Sequence, residues 1–399
     1  MGAPFHQTEA KMLKVAHILN SYLSQSETFI WQYLSAFKSI KPIVITNSTQ
    51  NLEQFPLTNG RIILKKGKRY SKLWFLDNFF RRILKDPYGL EKRIIAKNDI
   101  DVIHAHFGPV GCKILPIAAK LNLPLLTTFY GYDLSISDIV ERHFTEYQQL
   151  FKYGSAFLVE GPHMRVRLKA YGCPDTKIHV QRIAINIDNY HLAKRKVRKN
   201  SRVNFLFVGR FIEKKGLEYA LRALSNIRNE NICDFQIRII GFGVLENYLK
   251  NMVNDLNLEE NVVWLGMKAH TEVLKELRSC DIFIHPSVTA RNGDSEGGAP
   301  TIILEAQANK IPVISSFHAD IPYIAINRKA ALLANERDVE GLTDNIRYLL
   351  KRPETWKTMG SYGRSHIEKY HNVTKEVSKL EMTYKRCSEL YKGNSKRTT

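Results

Sequence analysis

The stretch Val203-Asn204-Phe205-Leu206-Phe207-Val208-Gly209-Arg210-Phe211-Ile212-Glu213-Lys214-Lys215-Gly216 predicts the fold. It begins with an apolar run of strand length, and a helix-like segment opens where it ends. Gly209 favours a tight turn, and the start of the helix offers backbone N–H groups that can bind an anion. A strand, a turn and a helix in this order are typical of a doubly wound α/β domain.

Short apolar runs alternate with longer helix-like segments along the rest of the chain, and this pattern occurs twice. The predicted strands are 14–19, 42–46, 101–105, 124–129, 155–160 and 177–183, followed by 203–208, 235–240, 261–265, 281–284 and 311–315. Helices are predicted at 338–350, 355–369 and 375–391. The sequence therefore predicts an α/β fold with two Rossmann-like, doubly wound domains that face each other across a cleft.

The predicted domains span residues 1–192 and 203–372, and the helix 375–391 is expected to complete the first domain. Between them, residues 194–202 include six Lys or Arg among nine residues. Such a run without strand alternation predicts a solvated basic linker at 193–202.

Composition and charge limit the possible functions. The chain has 399 residues, of which 44% are apolar, so a disordered or fibrous protein is excluded. Its formal charge of +20 lies mostly in the first half, since residues 1–200 hold 30 basic and 15 acidic side chains while residues 201–399 hold 29 and 24. No apolar stretch approaches the roughly 20 residues of a membrane-spanning helix, and no secretory signal precedes the first strand, so we expect a cytoplasmic protein. The five scattered cysteines are expected to be reduced and structural.

Arg210 and Lys215 place two cations where the strand 203–208 ends. Cations beside free backbone N–H groups are suited to bind a diphosphate. The segment is not a Walker loop, because the G-x-x-x-x-G-K-[ST] spacing is absent. The alternative is a helix start with ordinary surface charges.

A second motif is Asp294-Ser295-Glu296-Gly297-Gly298-Ala299-Pro300-Thr301-Ile302-Ile303-Leu304-Glu305-Ala306-Gln307-Ala308. Gly297 and Gly298 are interpreted as leaving the backbone accessible to a ligand, and Pro300 suits the first turn of a helix. Glu305 falls in the second turn among apolar residues, where a carboxylate needs hydrogen-bond donors such as two sugar hydroxyls. The alternative is a Glu that caps or bridges within the core.

The strand 101–105 leads into two alternating histidines, His104 and His106. On a strand they point to the same face, and the strand end places them at the expected cleft. This favours a functional site over two structural histidines. No metal is predicted, because a histidine pair without a third ligand is insufficient.

Taken together, these segments resemble the GT-B glycosyltransferases of family 4, and in particular the bacterial subgroup that builds exopolysaccharide and lipopolysaccharide on lipid carriers. The resemblance runs from about residue 13 to residue 385. It rests on Ser26-Glu27-Thr28-Phe29-Ile30, His104-Ala105-His106-Phe107-Gly108, the segment 209–216, Ile240-Gly241-Phe242-Gly243 and the segment 296–308.

The resemblance implies a retaining, metal-independent transfer of a sugar from a nucleotide diphosphate sugar, which is a substrate and not a cofactor, in cell-surface polysaccharide biosynthesis. The first domain would bind the acceptor, a glycan or a lipid-linked saccharide, and the second would bind the donor. The implied catalytic residues are Glu296, His106 and Asp133. The implied donor-binding residues are Gly209, Arg210, Lys215, Gly297, Gly298, Ala299, Pro300, Thr301 and Glu305.

Three positions depart from the family pattern. Eight residues separate Glu296 from Glu305 where the family has seven. Tyr130 stands where the family often has a histidine, a role that His106 is then expected to fill, and Tyr323 replaces a late glutamate.

These departures keep a degenerate scaffold as an alternative. A basic nucleic-acid-binding protein is a second one, although no nucleic-acid-binding motif is recognisable and no nucleic acid is expected as a partner. A phosphorylase or epimerase of the same fold is a third.

Residues 61–97 combine twelve Lys or Arg with only three acidic residues and several aromatic side chains. If 71–85 is a helix, one apolar stripe is expected to pack on the sheet (Leu73, Leu76, Phe80 and Ile83), and three aromatic residues are expected to remain available (Trp74, Phe75 and Phe79). The hypothesis is that this surface contacts an anionic membrane, at the cytoplasmic face of the inner membrane. The alternative is that the aromatic residues are all buried.

Overall fold

The computed structural model of the chain describes residues 12–24, 27–65, 67, 69–190 and 202–395. Of the predicted basic linker 193–202, only Arg202 is among the described residues. Among the described residues, no helix is both long and apolar enough to cross a membrane.

Contacts divide the chain into two compact units. The first unit contains the chain up to Thr128, Glu146–Phe157 and the chain from Val377 onward, and the second contains Phe129–Thr145 and Leu158–Glu376. These units do not test the domain boundaries expected from the sequence, so 1–192 and 203–372 stay predictions.

The first part of the chain forms a seven-stranded sheet in the order β5-β3-β1-β6-β7-β8-β9, and β2 pairs separately with β4. Its strands are β1 (Leu13–Ile18), β2 (Ser21–Tyr22), β3 (Ile40–Thr46), β4 (Ser48–Thr49), β5 (Arg61–Leu64), β6 (Val102–His106), β7 (Leu125–Phe129), β8 (Ala156–Val159) and β9 (Ile178–Val180). Its helices are α1 (Thr28–Ala36), α2 (Lys72–Asn78), which continues as a π-helical turn (Phe79–Ile83), α3 (Gly89–Lys97), α4 (Gly108–Lys120), α5 (Tyr132–Ser135), α6 (Ser137–Tyr153) and α7 (Pro162–Ala170).

The second part forms a six-stranded sheet in the order β12-β11-β10-β13-β14-β15. Its strands are β10 (Val203–Val208), β11 (Phe235–Ile240), β12 (Val262–Gly266), β13 (Ile282–His285), β14 (Val313–Ser316) and β15 (Ala331–Ala334). Its helices are α8 (Leu217–Asn229), α9 (Glu246–Asp255), α10 (His270–Ser279), α11 (Thr301–Ala308), α12 (Ile321–Ile324), α13 (Val339–Lys351) and α14 (Glu354–Tyr370), and α15 (Val373–Ser395) ends the described chain.

Both sheets have a parallel strand at their centre. β1 pairs in parallel with β3 and β6, and β10 pairs in parallel with β11 and β13. Phe205, Leu206 and Phe207 of β10 are fully buried, as expected for a strand covered by helices on both faces. The α/β class and the doubly wound pattern predicted from the sequence are confirmed.

Candidate functional site

The turn after β10 positions two lysines of different roles. Gly216 has a φ of +67°, and a Cβ there would lie 1.8 Å from the carbonyl oxygen of Pro286, so only glycine fits. Just before it, the buried Lys214 donates from Nζ to Asp294 Oδ1 and to the carbonyl of Ser295, each at 2.9 Å. Lys214 therefore ties this turn to the segment that carries Glu296.

Lys215 binds the Glu296 carboxylate directly. Its Nζ lies 2.9 Å from Oε1 and 2.7 Å from Oε2, and the Ser287 hydroxyl also donates to Oε1 at 2.8 Å. Burial by itself raises the pKa of Glu296, but Lys215 and His285 outweigh it and hold that pKa well below its ordinary value. Glu296 is therefore ionised at neutral pH and can accept hydrogen bonds but cannot donate a proton.

Arg210 lies at the end of β10 and is exposed. Its backbone carbonyl accepts the Ile212 N–H at 2.9 Å, whereas its guanidinium forms no hydrogen bond or ion pair within the part of the chain that the structure describes. Burial lowers the pKa of Lys215, the Glu296 carboxylate opposes that shift, and Arg210 adds to it as a neighbouring cation. The neighbouring Gly209 N–H donates to the Ile240 carbonyl at 3.0 Å, so this particular amide is already engaged.

The backbone of Glu296 is held as well as its side chain. Its N–H donates to Nε2 of His318 at 3.1 Å, and Nδ1 of His318 lies 2.6 Å from Oε1 of Glu336. His318 lies two residues after β14, and Glu336 lies two residues after β15, so both residues lie at the carboxyl end of the parallel sheet, where ligands of such sheets bind.

Glu305 is buried in the second turn of α11, as predicted, and it has protein partners. His270 Nε2 lies 3.1 Å from Oε1 and 3.2 Å from Oε2. Burial and the neighbouring Glu305 carboxylate raise the pKa of the Tyr190 hydroxyl well above its ordinary value. The hydrogen bond to Glu305 raises the pKa of His270. The sequence analysis expected sugar hydroxyls as hydrogen-bond partners of this carboxylate, and in the structure the His270 side chain already bonds it.

Gly297 and Gly298 are required by close packing, and their predicted role in leaving the backbone accessible to a ligand stays a prediction. Gly297 has a φ of +74°, and a Cβ there would lie 2.2 Å from Cα of Gly131. A Cβ on Gly298 would lie 1.9 Å from Oε2 of Glu160. The loop before α11 is therefore pressed against the loop after β7 and the end of β8.

The rest of that loop leads into α11. The helix α11 begins at Thr301, and Pro300 is the residue just before it. The prediction that Pro300 lies in the first turn is therefore wrong by one position. Ala299 and Thr301 are half-buried on either side.

Glu160 interacts electrostatically with two other buried carboxyl groups, those of Asp320 and Asp133, and sequence reasoning singled out only Asp133. Glu160 follows β8 directly, and Asp320 is the N-cap residue of α12 and accepts the His163 N–H at 2.8 Å with Oδ1. Burial raises the pKa of Glu160 well above its ordinary value, and Asp320, Asp133 and Glu296 raise it further. Burial likewise raises the pKa of Asp320 to about 6. In the sequence, only the position of Glu160 at the end of a predicted strand, before Gly161 and Pro162, could have indicated that it lies at the site.

Asp133 is the third carboxyl group, and it shapes the loop after β7. Its Oδ1 accepts the N–H groups of Tyr130 at 3.1 Å and of Gly131 at 2.9 Å, and the residue is fully buried. Tyr130 is half-buried in the same turn. The contacts of Asp133 show that it holds this turn, and its predicted catalytic role stays a prediction.

His106 lies in the first unit within a buried cluster of three histidines. His17 of β1 supplies the third imidazole, and its Nδ1 lies 3.1 Å from Nε2 of His106. Burial lowers the pKa of His106 well below its ordinary value, so the ring is neutral. The sequence predicted His104 and His106 on one face, and their stacked rings, with centroids 4.4 Å apart, confirm it, although the site is buried and not exposed at a strand end.

The same cluster is a candidate metal centre, because His17 is a third possible ligand that the sequence analysis did not identify. One nitrogen from each ring lies within 4.8 Å of the others. Nδ1 of His104, however, lies 2.6 Å from the Tyr384 hydroxyl, and its Nε2 lies 2.6 Å from Oγ1 of Thr128. A metal ion would have to displace one of these hydrogen bonds.

Comparisons with known proteins match both parts of the chain. The family described as Glycosyltransferase Family 4 matches residues 32–189, and the family described as Glycosyl transferases group 1 matches residues 191–366. A Salmonella typhimurium protein named for colanic acid biosynthesis, the glycosyltransferase WcaL, is 34% identical over 293 residues, which are 70% of each chain. The amylovoran biosynthesis glycosyltransferase AmsK of Erwinia amylovora is 36% identical over 248 residues, 61% of this chain and 59% of that one.

Among solved structures, Anabaena HepE in complex with UDP and glucose has a TM-score of 0.73 at 16% identity, covering 94% of this chain and all of that one. At this identity the likeness concerns the fold.

Proposed function

The chain belongs to the GT-B glycosyltransferases of family 4, in their exopolysaccharide-type subgroup, and we propose that it moves a sugar from a nucleotide diphosphate sugar to a glycan or lipid-linked saccharide with retention of anomeric configuration. The named relatives act in the biosynthesis of colanic acid and amylovoran, which supports an acceptor on the path to a cell-surface polysaccharide. The complex of HepE with UDP supports a nucleotide donor.

One observation carries the donor site: Arg210 and Lys215 both lie at the carboxyl end of β10, on either side of a turn that opens α8. Arg210 is exposed and has no carboxylate partner among the described residues, so its guanidinium can bind an incoming diphosphate. Cations at this point stabilise the negative charge that develops on the departing nucleotide, a contribution that is usually large in transfer reactions.

Lys215 would have two anionic partners, the Glu296 carboxylate and the donor diphosphate, and the sequence did not indicate the first of them. Its ammonium group is bonded to both oxygens of Glu296, so a diphosphate oxygen that approaches Lys215 competes with this carboxylate. Glu296 would then turn free acceptor oxygens toward the sugar attached to the diphosphate. An ionised carboxylate there accepts hydrogen bonds from sugar hydroxyls and favours positive charge on the sugar ring.

Glu305 would bind the ribose hydroxyls of the donor, and His270 already holds its carboxylate in place. The side chain of His270 is about two-fifths exposed, at 38%, so it can move aside for a ligand. We further propose that the reaction needs no metal ion, because Arg210 and Lys215 supply the positive charge that a divalent cation would otherwise provide.

A panel of nucleotide sugars tests this function. Purified protein is screened against UDP- and GDP-linked sugars by thermal shift, and a donor that binds only the folded chain raises its stability by roughly 2.7 kcal/mol at a hundredfold excess over its Kd. NMR of the released sugar then identifies the anomer, and retention is expected. Absence of binding and of hydrolysis with every donor would instead support the degenerate scaffold that Tyr130 and Tyr323 suggest.

We also propose that the first unit docks on an anionic membrane through the segment 69–85. The predicted packing stripe is wrong for two members, since Leu76 is 44% and Ile83 is 68% exposed. Phe75 and Phe79 are exposed as well, and helical spacing places the four side chains on one apolar face, while Trp74 is half-buried.

Basic side chains border this apolar face. Lys72, Arg82 and Lys85 are exposed and have no ion-pair partner among the described residues. Each such cation near an anionic surface contributes about 1 kcal/mol. Lys65, which the sequence counted in this surface, is instead buried and bonded to Glu91 at 2.6 Å, and Lys66 and Lys68 lie outside the described residues.

Flotation with liposomes tests the membrane contact. The wild-type chain should float with vesicles containing phosphatidylglycerol at low salt and should lose binding as salt rises. The triple change Phe75→Ser, Phe79→Ser and Ile83→Ser should abolish flotation, whereas Val166→Ser, at an exposed apolar position elsewhere, should not. Wild-type protein that stays with the unbound fraction at low salt would refute the proposal.

A further inference from the structure

We propose that His318 is a positioning residue, which fixes the backbone of Glu296 and thereby the direction of its carboxylate. This inference rests on the proposed function, in which Glu296 faces the transferred sugar. Lys215 and Ser287 hold the carboxylate of Glu296, whereas His318 holds its backbone N–H.

The hydrogen bonds of His318 determine where its proton lies. A backbone N–H can only donate, so Nε2 of His318 accepts from Glu296 and carries no proton. The proton is then on Nδ1 and is donated to Glu336 Oε1 at 2.6 Å. The neutral imidazole thus donates through Nδ1 and accepts through Nε2. A side chain that can make only one of these two hydrogen bonds cannot replace it.

Glu336 is itself held in place on the far side of His318. The N–H of Thr289 donates to its Oε2 at 2.7 Å, and the Thr289 hydroxyl lies 3.2 Å from Oε1. Burial opposes ionisation of Glu336, but hydrogen bonds from His318 and Thr289 lower its pKa to about 2. A permanently ionised acceptor therefore keeps the His318 ring in one orientation.

The position of the ring leaves little freedom to the loop before α11. The His318 side chain is only 1% exposed, and Gly297, the residue after Glu296, is packed against Gly131. Loss of the bond to the Glu296 N–H would let this peptide rotate and would redirect the carboxylate. A misplacement of about 1 Å at a reacting centre can cost roughly a hundredfold in rate.

Two isosteric changes separate the two bonds of the ring. His318→Gln places an amide oxygen near the position of Nε2 and can still accept from Glu296. His318→Asn places an amide nitrogen near Nδ1 and can still donate to Glu336, but it offers no acceptor to Glu296. His366→Asn, which alters a histidine bonded to the Tyr323 carbonyl, serves as the matched control.

Two readouts are compared for the four proteins: hydrogen exchange of the Glu296 amide, followed by mass spectrometry, and turnover of UDP-glucose, GDP-mannose and whichever panel sugar is consumed. We expect wild-type exchange and a kcat within a few-fold of wild type for His318→Gln. For His318→Asn we expect faster exchange and a kcat lowered by roughly tenfold or more, with the affinity for UDP or GDP unchanged.

A result in which His318→Asn matches wild type, or in which it is active while His318→Gln is not, would overturn the inference, because the bond to Glu336 would then be the one that matters. Failure of the proposed function is distinguishable, since it appears as a wild-type protein that consumes no nucleotide sugar. In that case the exchange of the Glu296 amide alone decides whether His318 positions it.

Discussion

The buried carboxyl of Asp320 makes a specific prediction about stability and pH. Burial raises the pKa of this group from 3.8 to about 6 in the folded chain. Because one pKa unit corresponds to about 1.4 kcal/mol, ionising Asp320 in the folded state costs up to about 3 kcal/mol more than ionising it in the unfolded chain. The neighbouring Glu160, whose pKa is also raised, acts in the same direction.

The sign of the effect follows from proton binding. Between about pH 4 and about pH 6 the folded chain keeps the proton on Asp320 while the unfolded chain has lost it, so the free energy of unfolding falls as pH rises through this window. The change Asp320→Asn keeps an oxygen that accepts the His163 N–H, but it cannot ionise. The part of the fall due to Asp320, up to about 3 kcal/mol, should disappear in this variant.

Urea unfolding followed by tryptophan fluorescence, at several values between about pH 4 and about pH 7.5, measures this difference. Asp338→Asn is the matched control, because Asp338 also accepts a backbone N–H at the start of a helix but is only half-buried. A pH dependence in Asp320→Asn as steep as in wild type would refute the reasoning, and so would an equal flattening in the control.

Three further outcomes are expected. Glu305→Gln should weaken binding of the donor nucleotide sugar by about tenfold in a titration while leaving the melting temperature close to wild type, since an uncharged amide accepts weaker hydrogen bonds. Turnover should survive excess EDTA, and activity that is lost in EDTA and restored by magnesium or manganese would contradict the proposed absence of a metal. Gly297→Ala should destabilise the chain by more than about 1 kcal/mol in urea, because a Cβ there lies 2.2 Å from Gly131 Cα, whereas Gly393→Ala, with nothing within 4 Å, should not.

Much of the fold could be predicted from periodicity, because central parallel strands are continuous apolar runs. Each of the predicted strands overlaps an observed one, from β1 to β14. The strand β15 was missed because Ala331-Leu332-Leu333-Ala334 contains no β-branched or aromatic residue and is equally compatible with a helix. β5 was missed because it is short, has no buried residue and adjoins a basic run.

The candidate site was predictable only where a motif is local. Arg210, Lys215, Glu296 and Glu305 could be found because each follows a strand or lies in a recognisable helix start. The pairing of Lys215 with Glu296 joins residues 81 positions apart, and no local pattern encodes it. The same is true of Glu160 beside Gly298, and of His17, which completes the histidine cluster from a different strand.

Titration calorimetry of UDP and GDP tests the central claim most directly, namely that the cations after β10 bind the diphosphate of the donor. The proteins compared are wild type, Arg210→Ala, Lys215→Ala and the control Arg291→Ala, in which the arginine is 95% exposed. The account predicts that at least one nucleotide binds wild type and Arg291→Ala with equal affinity and binds Arg210→Ala and Lys215→Ala roughly tenfold more weakly or worse. Equal affinity in all four proteins, or binding of neither nucleotide to wild type, would contradict it.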